Sequence, residues 1–181
     1  MDKAFLENIM QLCNNEGVNE VALAYSYHKK YSADVEKEEI ENILQAEDQS
    51  LTIEMFDNGR YSVNTLNRFD EPYIIQFIKQ AREISRHLQP DNHRHLPDVN
   101  LFRGLAGNNL DLLDVSYHEL DRNVLVNNLI GSTANLLRET PNVLNVTAHY
   151  TDYLHKTIKL HSNGFLGYTK ARSSQGRFRF R

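Results

Sequence analysis

The chain has 181 residues, 40% of them hydrophobic, with 8 Phe and 9 Tyr. That is enough to bury a core without disulfides or metal, and it excludes a disordered chain. The formal net charge is -4, but Lys170, Arg172, Arg177, Arg179 and Arg181 close the chain with no acid among them; taking those five cations away leaves -9 on the rest, a poor match for a nucleic-acid backbone.

One cysteine, Cys13, rules out an internal disulfide and fits a reducing compartment. The first residues lack the continuous apolar run of a signal peptide, and no stretch approaches the ~18 apolar residues of a membrane span. The composition therefore points to a soluble, cytoplasmic protein without a membrane partner.

Residues 3–16 carry Phe5, Leu6, Ile9, Met10 and Cys13 at spacings of three and four. This is one apolar helix face, with Gly17 as its C-terminal stop. Val21, Leu23, Tyr25 and Tyr27 then alternate with small or polar residues, which predicts a strand. Residues 33–47 are ambiguous. Their Glu and Lys content favours a helix, whereas the flanking β segments need a neighbour and favour a charged edge strand; the strand is the reading adopted. Leu51, Ile53 and Met55 alternate up to Asp57-Asn58-Gly59-Arg60, and Tyr61 and Val63 alternate beyond it. Asn-Gly suits a two-residue turn with positive φ at both positions, placing Asp57 opposite Arg60 in a hairpin.

Ile74, Phe77, Ile78, Ala81, Ile84 and Leu88 form a helical stripe over 70–88, with Asp70 and Glu71 at its start and Pro90 as its stop. Residues 89–112 read as a long loop. A further helix is expected from Ser116, where Ser116-x-x-Glu119 matches a capping box, to about Glu139. Leu144, Val146, Ala148 and Tyr150 predict one strand, and Ile158 and Leu160 a second, ending at Ser162-Asn163-Gly164. Strands grouped in runs indicate an α+β fold, a mixed or antiparallel sheet covered by two or three helices. Residues 1–169 read as the domain and 170–181 as a basic tail, frayed at the chain end.

No complete catalytic or metal constellation is visible. His93 and His95 are weak candidates for metal ligands: two residues apart on an extended loop, they face one way, yet spacing fixes no third ligand. His118-Glu119 lacks the second His that a zinc helix needs one turn later. Gly104-x-x-Gly107 lacks the strand and helix of a phosphate loop, and Cys13 reads as a small buried hydrophobe. His149, His155 and His161 are expected in a final hairpin, His149 and His161 on its solvent-facing or interface side, and a cross-strand His pair needs a register that the sequence does not supply.

Three segments carry a resemblance. Asn58-Gly59-Arg60 with Asn64 and Thr65, then His87 to Asp91 and Arg94 through Leu96-Pro97-Asp98, then Asp152 with Ser162-Asn163-Gly164-Phe165 and Gly167, occur in an order that resembles the N-terminal domain of the TldD/PmbA family. Members of that family have been described as modulators of DNA gyrase and as microcin-maturation zinc metalloproteases. The resemblance implies a subunit in which this domain precedes a β-rich domain, whose HExxxH helix and a later Cys hold zinc. It implies pairing with a homologous subunit, as homo- or heterodimer, and extended peptide substrates bound as an added strand. Ser62 departs from the family pattern, which has Gly there. The HExxxH segment lies beyond the region matched, so no catalytic, cofactor or metal residue carries over, and zinc is expected in the further domain or the partner subunit. The leading expectation is thus a non-catalytic assembly domain of a metallopeptidase. The alternatives are a stand-alone regulatory module that binds a related full-length subunit and, against the acidic body, a nucleic-acid-associated protein using the RFRFR end.

Overall fold

The computed structural model describes residues 1–91, 93–102, 110–114 and 120–181. Its elements in chain order are α1 (Lys3–Asn15), β1 (Glu20–Glu36), β2 (Glu39–Asp57), β3 (Arg60–Leu66), α2 (Glu71–Ser85), a one-turn 3-10 helix (Val99–Leu101), α3 (Arg122–Glu139), β4 (Val146–His161) and β5 (Leu166–Phe180). The strands form one antiparallel sheet in the order β3-β2-β1-β4-β5. This is the expected α+β class. Segment 33–47 is extended as read but is not one strand: a turn at Lys37-Glu38 divides it between the end of β1 and the start of β2. Two hairpins turn in the left-handed region at both central residues: Asn58 and Gly59 have φ of 52° and 73°, Lys37 and Glu38 of 52° and 65°. That backbone matches the twist of the flanking strands. Asp57 faces Arg60 and Leu51 faces Leu66, as the Asn-Gly turn requires. The long crossover brings β4 back against β1, where Val21 meets Ser162, His28 meets His155 and Asp34 meets His149.

The chain divides into two compact units. The first comprises 1–27, 49–109 and 156–169. Here α1 is capped by Asp2, whose carboxylate accepts from the Phe5 N–H at 3.1 Å. Gly17 ends it at φ +81°, under the Arg82 guanidinium, which also donates to the Glu16 carbonyl. Asp70 caps α2 and accepts from the Tyr73 N–H at 3.2 Å. Arg68 pairs with the same carboxylate, and chiefly this hydrogen bond holds it below the usual range. Leu6, Ile9 and Cys13 of α1 and Ile74, Ile78 and Ala81 of α2 share a core with Val21, Leu23, Leu51, Ile53 and Met55. Each large side chain buried there contributes ~1.5–3 kcal/mol over its exposed state.

The second unit comprises 28–48, 110–155 and 170–181. Its core is small: Tyr31, Ala33 and Val126, with Leu125, Leu129, Ile130 and Tyr150 partly buried around them. Polar links supplement it. Arg122, at the start of α3, stacks over the Tyr31 ring at 4.4 Å and donates to Gln45 at 2.8 Å.

Several expectations are corrected. The stripe of α2 ends early: Ser85 is the buried residue of its last turn, while Ile84 is 62% and Leu88 39% exposed. Within the described residues α3 begins at Arg122, and Asp121 caps it by accepting from the N–H groups of Asn123 and Val124; Ser116 and Glu119 lie outside the described residues. The two strands expected over 144–150 and 158–160 are the single strand β4, and Leu144 is 89% exposed. His149, His155 and His161 therefore share one strand and not two arms of a hairpin. Residues 170–180 are no frayed tail: they belong to β5, and the Arg181 N–H donates to the Asn145 carbonyl at 3.0 Å.

Candidate functional site

In the first unit the residues singled out by resemblance act together as fasteners of segment 88–98. The Gly59 carbonyl accepts from the Asp91 N–H at 2.6 Å, and Arg60 Nε donates to the Leu88 carbonyl at 3.0 Å. Arg94 stacks over the Tyr61 ring at 4.9 Å and pairs with Asp91 at 3.6 Å. Burial, together with a hydrogen bond to Glu54 and its charge, pushes the Tyr61 phenol up to about 12. Farther along, the Leu96 N–H donates to the Glu20 carboxylate and the Leu96 side chain is buried. The Pro97 carbonyl accepts from Asn163 Nδ2 at 2.8 Å, and Asp98 caps the 3-10 helix by accepting from the Asn100 N–H at 2.8 Å. Ser162 exchanges two bonds with the main chain of Val21, at 2.9 and 3.0 Å, before Gly164 turns at φ +93°. On β3, Asn64 Nδ2 donates to Ser62 at 3.1 Å and Thr65 bonds Thr52 at 3.0 Å. Ser62 sits in register opposite Met55, so its departure from the family pattern leaves the Asn58-Gly59 turn intact.

His93 and His95 are exposed on this strap, where the His93 N–H donates to Asp91 at 3.0 Å. Among the described residues, no three His, Cys, Asp or Glu side chains stand where one ion could be held. Cys13 is fully buried, and burial pushes its thiol up to about 12, which keeps it protonated and unreactive. His161 lies against Phe102 and Phe165, with ring centroids at 5.4 and 4.7 Å, and its buried Nδ1 has no hydrogen-bond partner among the described residues. It lies on the face opposite Leu160, half-buried under these two rings rather than open to solvent. His118, Gly104 and Gly107 lie outside the described residues.

The second unit holds the polar array that sequence reasoning missed. Asp34 Oδ1 lies 2.5 Å from His149 Nδ1, and His149 Nε2 lies 2.6 Å from Thr151 Oγ1. With Nδ1–H donating to the carboxylate, Nε2 accepts from the hydroxyl. The order carboxylate, imidazole, hydroxyl is that of a nucleophilic triad, but Thr151 is only 6% exposed, so the chain of bonds links β1 to β4 and presents no nucleophile. Asp34 and His149 face a groove of about 340 Å³ with Glu41, Thr147, Arg177 and Arg179. Farther along β1 and β4, the Nδ1 atoms of His28 and His155 are 3.1 Å apart. Burial, with the charge of His28 adding to it, holds His155 below the usual imidazole range. This is not the cross-strand pair considered within a final hairpin, since His149, His155 and His161 share β4; the partner is His28 of β1, which sequence reasoning did not single out.

Asp152 is the motif residue of this unit. It is 2% exposed and accepts from Arg172 Nε at 2.8 Å, while Arg172 Nη1 reaches Asp114 at 2.9 Å. Burial opposes the charge on Arg172, but the Asp152 carboxylate outweighs it and raises the guanidinium further. Along α3 runs a more apolar groove of about 560 Å³, lined by Leu120, Val124, Leu125, Leu129 and Tyr150 among others.

An antiparallel five-stranded sheet with helices α1 and α2 in one unit and α3 in the other defines an α+β protein with no metal-holding cluster of His, Cys, Asp or Glu among the described residues. The architecture is shared with a crystal structure of a candidate modulator of DNA gyrase from Bacteroides thetaiotaomicron, at a TM-score of 0.86 and 20% identity over 98% of this chain and 44% of that one. A second candidate gyrase modulator, from Thermotoga maritima, gives 0.76 and 12% identity over 98% and 42%. TldE from Thermococcus kodakarensis gives 0.71 and 16% over 98% and 43%. The chain thus spans less than half the length of each of these proteins, and the resemblance carried by the three motif segments is met at the level of the fold. No protein-family model and no curated protein matches the sequence.

Proposed function

We propose that this chain is the N-terminal, non-catalytic assembly domain of a TldD/PmbA-type metallopeptidase, in which zinc and the hydrolytic residues belong to a further domain or to a homologous partner subunit. One observation carries the reading: almost the whole chain superposes on less than half of TldE and of the two gyrase-modulator candidates. The motif residues support it, because most of them act by fastening main chain. In the assembled peptidase, the domain would bind a related subunit and help to enclose an extended peptide. Purified alone, the chain is expected to hold no stoichiometric zinc and to leave unfolded peptides intact; mixed with a full-length zinc-bearing subunit of the family, it is expected to co-sediment. Zinc-dependent turnover of an extended peptide by the chain alone would overturn the proposal.

A further inference from the structure

The second unit has two strand edges of opposite charge. β2 pairs with β3 from Leu51 onward, so among the described residues no strand lies beside its outer edge over the earlier stretch from residue 39. Residues 39–49 are exposed, with Ile40, Ile43 and Leu44 at 49, 48 and 41%. Between residues 38 and 59 there is no Lys or Arg, while Glu39, Glu41, Glu47 and Asp48 lie on this stretch. At the other edge of the sheet, β5 has β4 as its only partner strand among the described residues. The Leu112 carbonyl takes up the Arg172 N–H at 2.8 Å, and residues 173–180 beyond it are exposed. Those residues include Arg177, Phe178, Arg179 and Phe180, with both Phe side chains 41–50% exposed. Long unpaired edges are templates for another strand.

The two edges match in level, direction and face. Asn145 bonds Glu36 on one side and Arg181 on the other, so the start of β2 and the end of β5 lie at the same end of the sheet. In the order β2-β1-β4-β5 of an antiparallel sheet, β2 and β5 run in opposite directions. Glu41, Arg177 and Arg179 line the same groove and so share a face. Strand alternation puts Phe178 and Phe180 on the opposite face, with Ile40 and Leu44. A second copy that continues the sheet without being turned over would therefore bring Arg177 and Arg179 beside Glu39 and Glu41 on one face. On the other face it would bring Phe178 and Phe180 beside Ile40 and Leu44.

We infer that copies of this chain associate head to tail, the β5 edge of one adding to residues 39–44 of the next as an antiparallel strand. Such a contact is heterologous, so it builds rings or open arrays and not a closed twofold dimer. It is short and depends on charge, so it weakens with salt. The inference goes beyond the peptidase reading: it concerns copies of this chain alone and stands or falls without that assignment.

The test is sedimentation velocity on the full chain and two charge-reversed variants, Glu39→Lys/Glu41→Lys and Arg177→Glu/Arg179→Glu. The substituted side chains are exposed, and thermal melts by circular dichroism verify that each variant folds. Wild type, on the order of 100 µM, is expected to sediment above monomer mass and to revert in ~1 M salt, where screening is short-ranged. Each variant alone is expected to associate roughly tenfold or more weakly, since like charges then oppose across the pair. An equimolar mixture restores opposite charges at every junction and is expected to recover the wild-type boundary. Monomeric wild type, or a mixture no more associated than its components, would overturn the inference.

Discussion

Replacing Arg172 by Met, a side chain of similar length, would leave the Asp152 carboxylate buried without its cation. Asp152 is 2% exposed and the Arg172 side chain 9%, and their 2.8 Å contact is among the most enclosed ion pairs in the described structure. Removing one member of a buried pair costs ~3–5 kcal/mol, because the remaining charge stays desolvated, whereas replacing both members by apolar side chains is close to neutral. Asp114 shares the same guanidinium at 2.9 Å but is 51% exposed, and a pair with an exposed carboxylate is worth ~0–1 kcal/mol. The expected order of destabilisation is therefore Arg172→Met at ~3–5 kcal/mol, then the double replacement Asp152→Leu/Arg172→Met well below it, then Asp114→Ala below ~1 kcal/mol. Urea unfolding followed by circular dichroism, with the slope inspected for two-state behaviour, gives the three values and the coupling energy. A loss under ~1 kcal/mol for Arg172→Met, or a double variant as unstable as the single, would refute the claim that desolvation of Asp152 governs this site.

Gly59→Ala places a side chain at φ +73° and is expected to cost ~1–2 kcal/mol by thermal or urea unfolding, while Lys37→Asn/Glu38→Gly relieves two side chains at positive φ and is expected to stabilise by ~1–2 kcal/mol. Arg60→Met with Asn163→Ala removes two ties of the strap; hydrogen exchange of the Asp91 and Leu96 amides is expected to accelerate, with global stability falling by only ~1–3 kcal/mol, and unchanged exchange would mean that those ties do not hold the segment. Burial holds His161 below the usual imidazole range, with Glu54 partly offsetting this and Lys159 adding to it. The unfolded chain then takes up the proton first, so stability falls as pH drops below about 6.5. His161→Phe is expected to flatten that dependence between pH 7.5 and 5.5 and to remove the cost of the unpartnered Nδ1; an unaltered slope would assign the loss to other groups, His155 first.

Where the sequence was readable, local chemistry settled the element. Gly17 closes α1, Asp70 opens α2, and Asn58-Gly59 dictates a turn whatever lies around it. Where it was not, the deciding partner was distant. Thr151-Asp152-Tyr153 breaks the apolar alternation and reads as the end of a strand, yet β4 runs straight through, because Arg172 neutralises Asp152 and His149 bonds Thr151. The Arg-Phe alternation of 177–180 has the period of a strand, and its terminal position and charge hid that signal. His149 and Asp34 are 115 residues apart, so no spacing rule could pair them. The motif residues were legible as a set, but their role as ties on segment 88–98 was not, since most of those bonds go to carbonyls and amides.

The pairing of β1 with β4 also has a consequence in time. Val21 and Ser162 are separated by 141 residues and Asp34 and His149 by 115. At synthesis rates of ~5–20 residues per second, β1 waits roughly 6–30 s for its second neighbour. During that interval β1, β2 and β3 can already form a meander from local hairpins, but one side of β1, the middle strand of the finished sheet, stays open to any passing strand. Nascent chains of this protein are therefore a foreseeable client for holding chaperones, and refolding from denaturant is expected to be limited by this one distant closure and to lose yield steeply as concentration rises.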